Sequence, residues 1–218
     1  FNTDHVEKII EPKPEFLMDA TWAFEEPATD PAFIPLLEIS REARKKVKVA
    51  LTGDGADEQF AGYNVHKIMY ANRVFFEKVP AAFVKATAVL PDKLKVFRGI
   101  KYAAFSRDAG ETYWHYLNAF KEKNDVITLQ ETRNNALGQY FSDADSKNIL
   151  SKMLKLDCEN LLPNYFLMKT DKTTMAHSIE ARVPYLDHEL IEFSATIPAK
   201  LKLQGFTDKY LLRKVAQK

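Results

Sequence analysis

The chain has one cysteine, Cys158, among 218 residues. No disulfide can form within it, which fits a reducing compartment such as the cytoplasm. Net charge is nearly absent, since 31 Lys and Arg against 30 Asp and Glu leave +1. That excludes the strongly basic surface that nucleic acid or an anionic membrane would attract, and neither is expected as a partner. Long apolar runs are also missing. The nearest approach, residues 81–90, is interrupted by Lys85 and falls short of the roughly 20 residues that a membrane-spanning helix needs. Glycine is scarce, at 7 residues, and no repeat or low-complexity segment occurs, so no linker is evident. The length suits one domain or a large part of one. The first residue is Phe rather than Met, nothing beside it reads as a signal peptide, and residues 210–216 read as an amphipathic helix in progress. The expectation is a piece of a longer protein.

What the sequence does have is 46% hydrophobic residues, enough for a sizeable core, and one unusual stretch. Val47, Val49 and Leu51 alternate with Lys48 and Ala50, the pattern of a short strand. The run breaks at Gly53 and Gly55, which permit positive φ and close approach of a ligand to the backbone. From Ala56 to Tyr63 it reads as a helix start. Strand, glycine turn and helix N-terminus form a generic anion-binding geometry. Here, however, the turn carries Asp54, Asp57 and Glu58. Acids beside a polyphosphate make sense when a divalent cation bridges them. On spacing alone they serve equally well as helix caps.

Taken in order, residues 4–10 read as a strand ended by Pro12 and Pro14. Residues 15–24 form a helix with Phe16, Leu17, Ala20 and Phe24 on one face. An acidic loop follows between Pro27 and Pro31, then a helix over 34–46, apolar at Leu36, Leu37 and Ile39. Two parallel strands, near 5–10 and 47–52, are expected side by side in a right-handed crossover, with helices elsewhere. A helix is predicted over 57–78, and broken helices over 80–125 whose aromatics (Tyr102, Phe105, Tyr113, Trp114, Tyr116, Phe120) and His115 serve as core. A short helix opens at 127–133. Asp143 or Asp145 caps the helix that carries Ile149, Met153, Leu154 and Leu156, and Pro163 bends or ends it. Cys158 lies inside as a small hydrophobe. Asp171 and Lys172 can be read as a helix-start carboxylate and a solvated lysine. Glu180 and Arg182, two residues apart, suit an irregular turn closed by Pro184, each buried charge finding a partner elsewhere. For Glu180 that partnership is structural; Arg182 stays open between structure and catalysis. A core helix over 187–197 and a last helix capped by Thr207 or Asp208 complete the chain.

Two stretches carry a resemblance. Thr52-Gly53-Asp54-Gly55-Ala56-Asp57-Glu58-Gln59-Phe60-Ala61-Gly62-Tyr63 resembles the Ser-Gly-Asp/Glu-Gly-x-Asp-Glu-x-Phe-x-Gly-Tyr motif of glutamine-hydrolysing asparagine synthetases, in their C-terminal synthetase (ATP-pyrophosphatase) domain. Met175-Ala176-His177-Ser178-Ile179-Glu180-Ala181-Arg182-Val183-Pro184-Tyr185-Leu186-Asp187 resembles the Met-Ala-x-x-x-Glu-Ala-Arg-x-Pro-Phe-Leu-Asp signature of the same family. Lys169-Thr170-Asp171-Lys172 resembles its Lys-x-Asp-Arg/Lys segment, and the acidic loop its Asp-Glu-Pro segment near nucleotide and acceptor. The likeness runs through almost the whole chain and is weakest between about 72 and 140.

The resemblance implies an α/β, helix-rich fold, part of a Rossmann-like adenine-nucleotide α-hydrolase domain with a few parallel strands, filling residues 1–218. It implies a carbon–nitrogen ligase in which aspartate attacks ATP to give β-aspartyl-AMP and Mg²⁺-pyrophosphate. Ammonia, from glutamine through an N-terminal glutaminase domain of the same chain, then displaces AMP. Thr52 and Gly53 would hold the adenylate, Asp57 the Mg²⁺, and Asp54 and Arg182 would take part in the chemistry. The family's pyrophosphate loop, its N-terminal cysteine and a downstream lysine do not occur in these residues; Lys209 is read as a helix anchor. The 218 residues alone are therefore expected to be silent, and an open sheet edge makes a second copy a candidate partner. The alternatives are a related adenylating or β-lactam-forming synthetase acting on another acid, and a non-enzymatic helical module.

Overall fold

The computed structural model describes residues 3–11, 13–27, 30–71 and 148–218. The expected helices within 80–125, the aromatic series with His115, the helix at 127–133, and Asp143 and Asp145 lie outside them. The described elements run α1 (Pro14–Phe24), α2 (Phe33–Ala43), β1 (Val49–Leu51), α3 (Ala56–Phe60), α4 (Asn64–Ala71), α5 (Ile149–Leu156), a π-helix (Asp157–Leu167), α6 (Met168–Met175), β2 (Glu180–Arg182), a 3-10 turn (Pro184–Leu186), α7 (His188–Thr196), α8 (Ala199–Lys202) and α9 (Tyr210–Ala216). No helix among the described residues is long and apolar enough to cross a membrane. The architecture is helix-rich with two parallel strands, an α/β arrangement.

Two compact units divide the chain. The first comprises residues 1–55 and 159–191, the second residues 56–158 and 192–218. In the first, α6 packs on α1, α2 and β2. α1 starts at Pro14, whose fixed φ and missing N–H suit a first helical turn. It buries Ala20 and Phe24, and the Phe24 ring meets Phe33 of α2 edge-on at 4.1 Å. α2 buries Phe33, Leu37, Glu38 and Ser40, while Ile39, expected inside, is exposed. β1 pairs in parallel with β2, Ala50 opposite Ala181. The strand expected at 5–10 does not form, and the partner of β1 comes from the other end of the sequence. Glu7 to Ile10 meet no ladder there, and Lys8 instead reaches Glu42 and Glu38 on α2.

In the second unit a small core gathers Ala61, Leu150, Leu154 and Leu203, with Tyr70 and Ala199 against it. The helix expected over 57–78 is broken. α3 stops at Phe60, Ala61 turns into the left-handed region at φ 60°, and α4 restarts at Asn64. α5 is capped by Asn148, whose side chain accepts from the Leu150 amide at 2.9 Å. Pro163 does not end the helical stretch but sits within the π-helix. α7 buries only Ser194 and leaves Phe193 exposed, so it is not the core helix expected over 187–197. Asp187 caps it, accepting from the Glu189 amide at 3.0 Å. α9 is preceded by Lys209 at its N-cap rather than Thr207 or Asp208. Asp208 is drawn off by Lys67 at 3.3 Å and Arg213 at 3.1 Å.

Candidate active site

In the first unit β1 delivers the chain into Thr52, Gly53, Asp54 and Gly55. The Thr52 amide still belongs to the sheet, donating to the Arg182 carbonyl at 2.9 Å. Its hydroxyl donates to Asp54 Oδ2 at 2.7 Å, and a second hydroxyl, from Thr170 on α6, donates to the same oxygen at 3.0 Å. Gly55 takes φ 90° and so needs to be glycine. Gly53 does not. A Cβ there would meet nothing within 4 Å, so the backbone at Gly53 stands open at the C-terminal end of a parallel strand.

Thr170 behaves unlike the other threonines of its helix. Thr173 and Thr174 turn their hydroxyls back onto carbonyls one turn earlier, at 2.8 Å each, the usual resting place for a helical threonine. Thr170 is buried and spends its hydroxyl on Asp54. Its neighbours reach the acidic loop. Lys169 binds Asp30 at 3.1 Å, and Lys172 binds Glu25 at 2.8 Å and the Phe24 carbonyl at 2.7 Å. Lys172 is therefore not a solvated lysine, whereas Asp171 is exposed. Burial pushes the Asp30 carboxyl up, but the Ala32 amide, the Tyr165 hydroxyl and Lys169 outweigh it and hold the carboxyl below its ordinary value. Burial, then the bond to Asp30, push the Tyr165 hydroxyl up. About one turn of α6, Lys169 to Lys172, thus contacts both the loop and the Gly-Asp-Gly turn.

Glu180 and Arg182 lie in β2, not in an irregular turn. Two apart on a strand, they share a face, and Arg182 Nε donates to Glu180 Oε1 at 2.8 Å. Both are exposed, at 59% and 61% of the side chain, so neither is the buried charge expected from the sequence. Each is the other's partner, where a partner elsewhere in the chain was expected.

The second unit begins at Ala56 and holds the other acids. Asp57 Oδ1 lies 2.9 Å from Lys209 Nζ. The turn around them is tight, because a Cβ at Gly62 would fall 1.7 Å from Asp57 Oδ1 and 2.5 Å from Lys209 Cε. The Lys209 amide donates to the Phe60 carbonyl at 3.2 Å. Glu58, buried beneath, accepts from the Tyr63 hydroxyl. Burial raises the Glu58 carboxyl and outweighs that bond, and it raises the Tyr63 hydroxyl as well. The Tyr63 amide donates to His66 Nδ1 at 3.3 Å, which leaves Nε2 as the donor to Asp157 Oδ2 at 2.7 Å. His66 and Asp157 are fully buried, and burial raises the Asp157 carboxyl against the pull of His66. Cys158 follows, partly buried, its thiol pushed up to about 11 chiefly by burial. Among the described residues no group of three or more His, Cys, Asp or Glu side chains could hold a metal.

This geometry can be set beside known proteins. The family model for asparagine synthase matches residues 1–218. The chain belongs to the asparagine synthase family. It is similar to a glutamine-hydrolyzing asparagine synthetase 1 of Bacillus subtilis, 33% identical over 98% of this chain and 35% of that protein. It is similar to a putative glutamine-hydrolyzing asparagine synthetase of Mycobacterium bovis, 30% identical over 98% of this chain and 34% of that protein. An amidase, chyE, of Penicillium rubens is 24% identical over 91% of this chain and 34% of that protein. The chain thus spans about a third of the length of the curated relatives it matches.

Within this asparagine synthase family chain, the first unit brings Thr52 and Asp54 into direct contact and joins Arg182 to Thr52 through the sheet. Gly53 stands beside them with open space at its Cα. Asp57 is found with Lys209 in the second unit. Thr170 and the Gly62 cradle had no distinct signal in the sequence. Thr170 stands between Lys169 and Asp171, and its place inside that Lys-Thr-Asp-Lys segment was the nearest to one.

Proposed function

We propose that this chain is the ATP-consuming part of a glutamine-hydrolysing asparagine synthetase, a Rossmann-like adenine-nucleotide domain over residues 1–218. What supports it most is Asp54. A carboxylate held through one oxygen by two hydroxyls, beside an approachable Gly53 at a strand's C-terminal end, is set as a ligand-facing group. Family membership supplies the chemistry, and the relatives' names supply asparagine and glutamine.

In the proposed reaction a carboxylate oxygen of aspartate bonds to the α-phosphorus of ATP as the bond to pyrophosphate breaks, giving β-aspartyl-AMP. Ammonia then attacks the acyl carbon, the carbon–oxygen bond to AMP breaks, and asparagine forms once the nitrogen loses a proton. Thr52 and Gly53 would present hydroxyl and backbone to the adenylate. Asp54, with Oδ2 occupied by Thr52 and Thr170, would offer Oδ1 to the aspartyl group or the incoming amine. Arg182, braced by Glu180, would supply positive charge to an anionic oxygen. A magnesium ion, when bound, would neutralise the departing pyrophosphate. Asp57 suits it as one donor, since Mg²⁺ is commonly held by one or two carboxylates plus phosphate oxygens. The glutaminase domain, the cytoplasm as location and aspartate as acceptor belong to the same proposal.

The test is the full-length protein with ATP, Mg²⁺, ammonia and a panel of carboxylic acids, followed for AMP and pyrophosphate. AMP release that requires aspartate and is lost in Asp54→Asn supports the assignment. Release driven as well by other acids points to a different acceptor, and no release with any acid contradicts the synthetase itself.

A further inference from the structure

Tyr165, Lys169 and Lys172 stand four and then three residues apart, the spacing that lets side chains share one side of a helix. All three reach the segment 24–30. Tyr165 and Lys169 both donate to Asp30, Lys169 to Oδ2 at 3.1 Å. Lys172 donates to Glu25 at 2.8 Å and to the Phe24 carbonyl at 2.7 Å. The Lys169–Asp30 pair is more than a surface contact, since its side chains keep only 13% and 19% exposure. The Lys169 ammonium also lies 5.3 Å from the centre of the Tyr165 ring and 5.1 Å from that of Phe166, within cation–π range. The Ala32 amide donates to Asp30 Oδ1 at 2.9 Å, so both oxygens of this carboxylate are held.

Thr170 is the next residue, about 100° further round the helix. Its hydroxyl leaves the helix for Asp54 Oδ2 at 3.0 Å, whereas Thr173 and Thr174 turn theirs back onto carbonyls of their own stretch at 2.8 Å. A helical threonine has both options. Because Asp54 belongs to another segment, the rotation of α6 decides which one Thr170 takes. Lys169, anchored on the adjacent side, fixes that rotation. We propose that Lys169 is a positioning residue for the reaction: clamped on Asp30 beside two aromatic rings, it holds α6 so that the Thr170 hydroxyl stays on Asp54. This rests on the reading of Asp54 as the ligand-facing group. A change at Asp30 is then felt at Asp54, through one helix.

The experiment measures aspartate-dependent AMP release by the full-length protein for wild type, Lys169→Met, Lys169→Arg, Thr170→Val and the double variant Lys169→Met/Thr170→Val. Melting temperatures and a crystal structure of Lys169→Met accompany it. Lys169→Met keeps the stem and loses the charge. It is expected to lower kcat about ten-fold, as loss of the Thr170 bond to a charged group implies, with KM for ATP within about two-fold of wild type. Lys169→Arg should recover most of the rate. The double variant should be no slower than Thr170→Val alone, because residues acting through one bond are not additive. In the crystal, Thr170 should have left Asp54. Lys169→Met with Thr170 still on Asp54, a full rate, a raised KM with unchanged kcat, or losses that multiply in the double variant each overturn the proposal. Should Lys169→Met not fold, Asp30→Asn takes its place in the same comparison, and the same results decide. The underlying reading fails separately, if Asp54→Asn releases AMP at the wild-type rate, whatever Lys169→Met does to Thr170.

Discussion

Asp54 Oδ2 receives two hydroxyls, and the more distant in sequence, Thr170, is the one that can be removed with least disturbance. Thr170→Val keeps the volume and deletes the donor. A hydrogen bond to a charged group is worth about 1.5–3 kcal/mol, so the adenylation rate should fall about ten-fold or more, while Thr170→Ser stays near wild type. Rate and melting temperature should be recorded together. A folded Thr170→Val enzyme at full rate would mean that Thr52 alone sets the carboxylate. Glu58 makes a different prediction. Its carboxyl is raised by burial, so the folded state holds a proton that the unfolded state releases near pH 4.5. Stability should then decline as pH rises from there through the folded value, and stay lower above it. Glu58→Gln retains an acceptor for Tyr63 and has no proton to lose. Denaturant titrations across pH 4–8 should show this decline flattened in the variant; an equally steep decline would place its source elsewhere, with Asp157 next in line.

Among elements, the turn between α3 and α4 passes through Ala61 in the left-handed region and brings Gly62 against Asp57 and Lys209. A methyl group there would overlap Asp57 and Lys209, so Gly62→Ala must displace one of them. The groups it meets are ends of flexible, partly exposed side chains, so a cost of about 1 kcal/mol at most is expected, the low end for forcing extra atoms into a packed site, together with loss of the Asp57–Lys209 pair. Thermal unfolding checks the first, and a crystal structure of the variant the second. Wild-type stability with the pair intact would show that the turn relaxes freely. This turn also marks where sequence reasoning was sufficient and where it was not. β1, the Gly-Asp-Gly turn, α1 and α2 were legible because apolar spacing, glycine and proline act locally. The break after Phe60 was not, because Gly62 inside a helical pattern looks like a tolerated glycine until Asp57 and Lys209 are seen to meet across it. The partner of β1 was misassigned for a related reason. Residues 5–10 look like a strand, but strand pairing is a long-range choice, and the choice fell on Glu180–Arg182, whose two charges share a face only once the chain is extended.

For the whole molecule, the motif stretch 52–63 is divided between the two units. Thr52, Gly53 and Asp54 belong to one compact unit and Asp57, Glu58 and Gly62 to the other. Each unit holds its acid through residues far away in sequence, Thr170 for Asp54 and Lys209 for Asp57. The central claim is that these acids serve a nucleotide-adenylating reaction, and the exchange of labelled pyrophosphate into ATP tests it most directly. The full-length protein should catalyse exchange that depends on aspartate and Mg²⁺. Asp57→Asn, melting like wild type, should lose about 100-fold or more, the size expected when several kcal/mol of charge stabilisation are removed. Wild-type exchange in a normally folded Asp57→Asn protein, or exchange that ignores aspartate, would contradict the account.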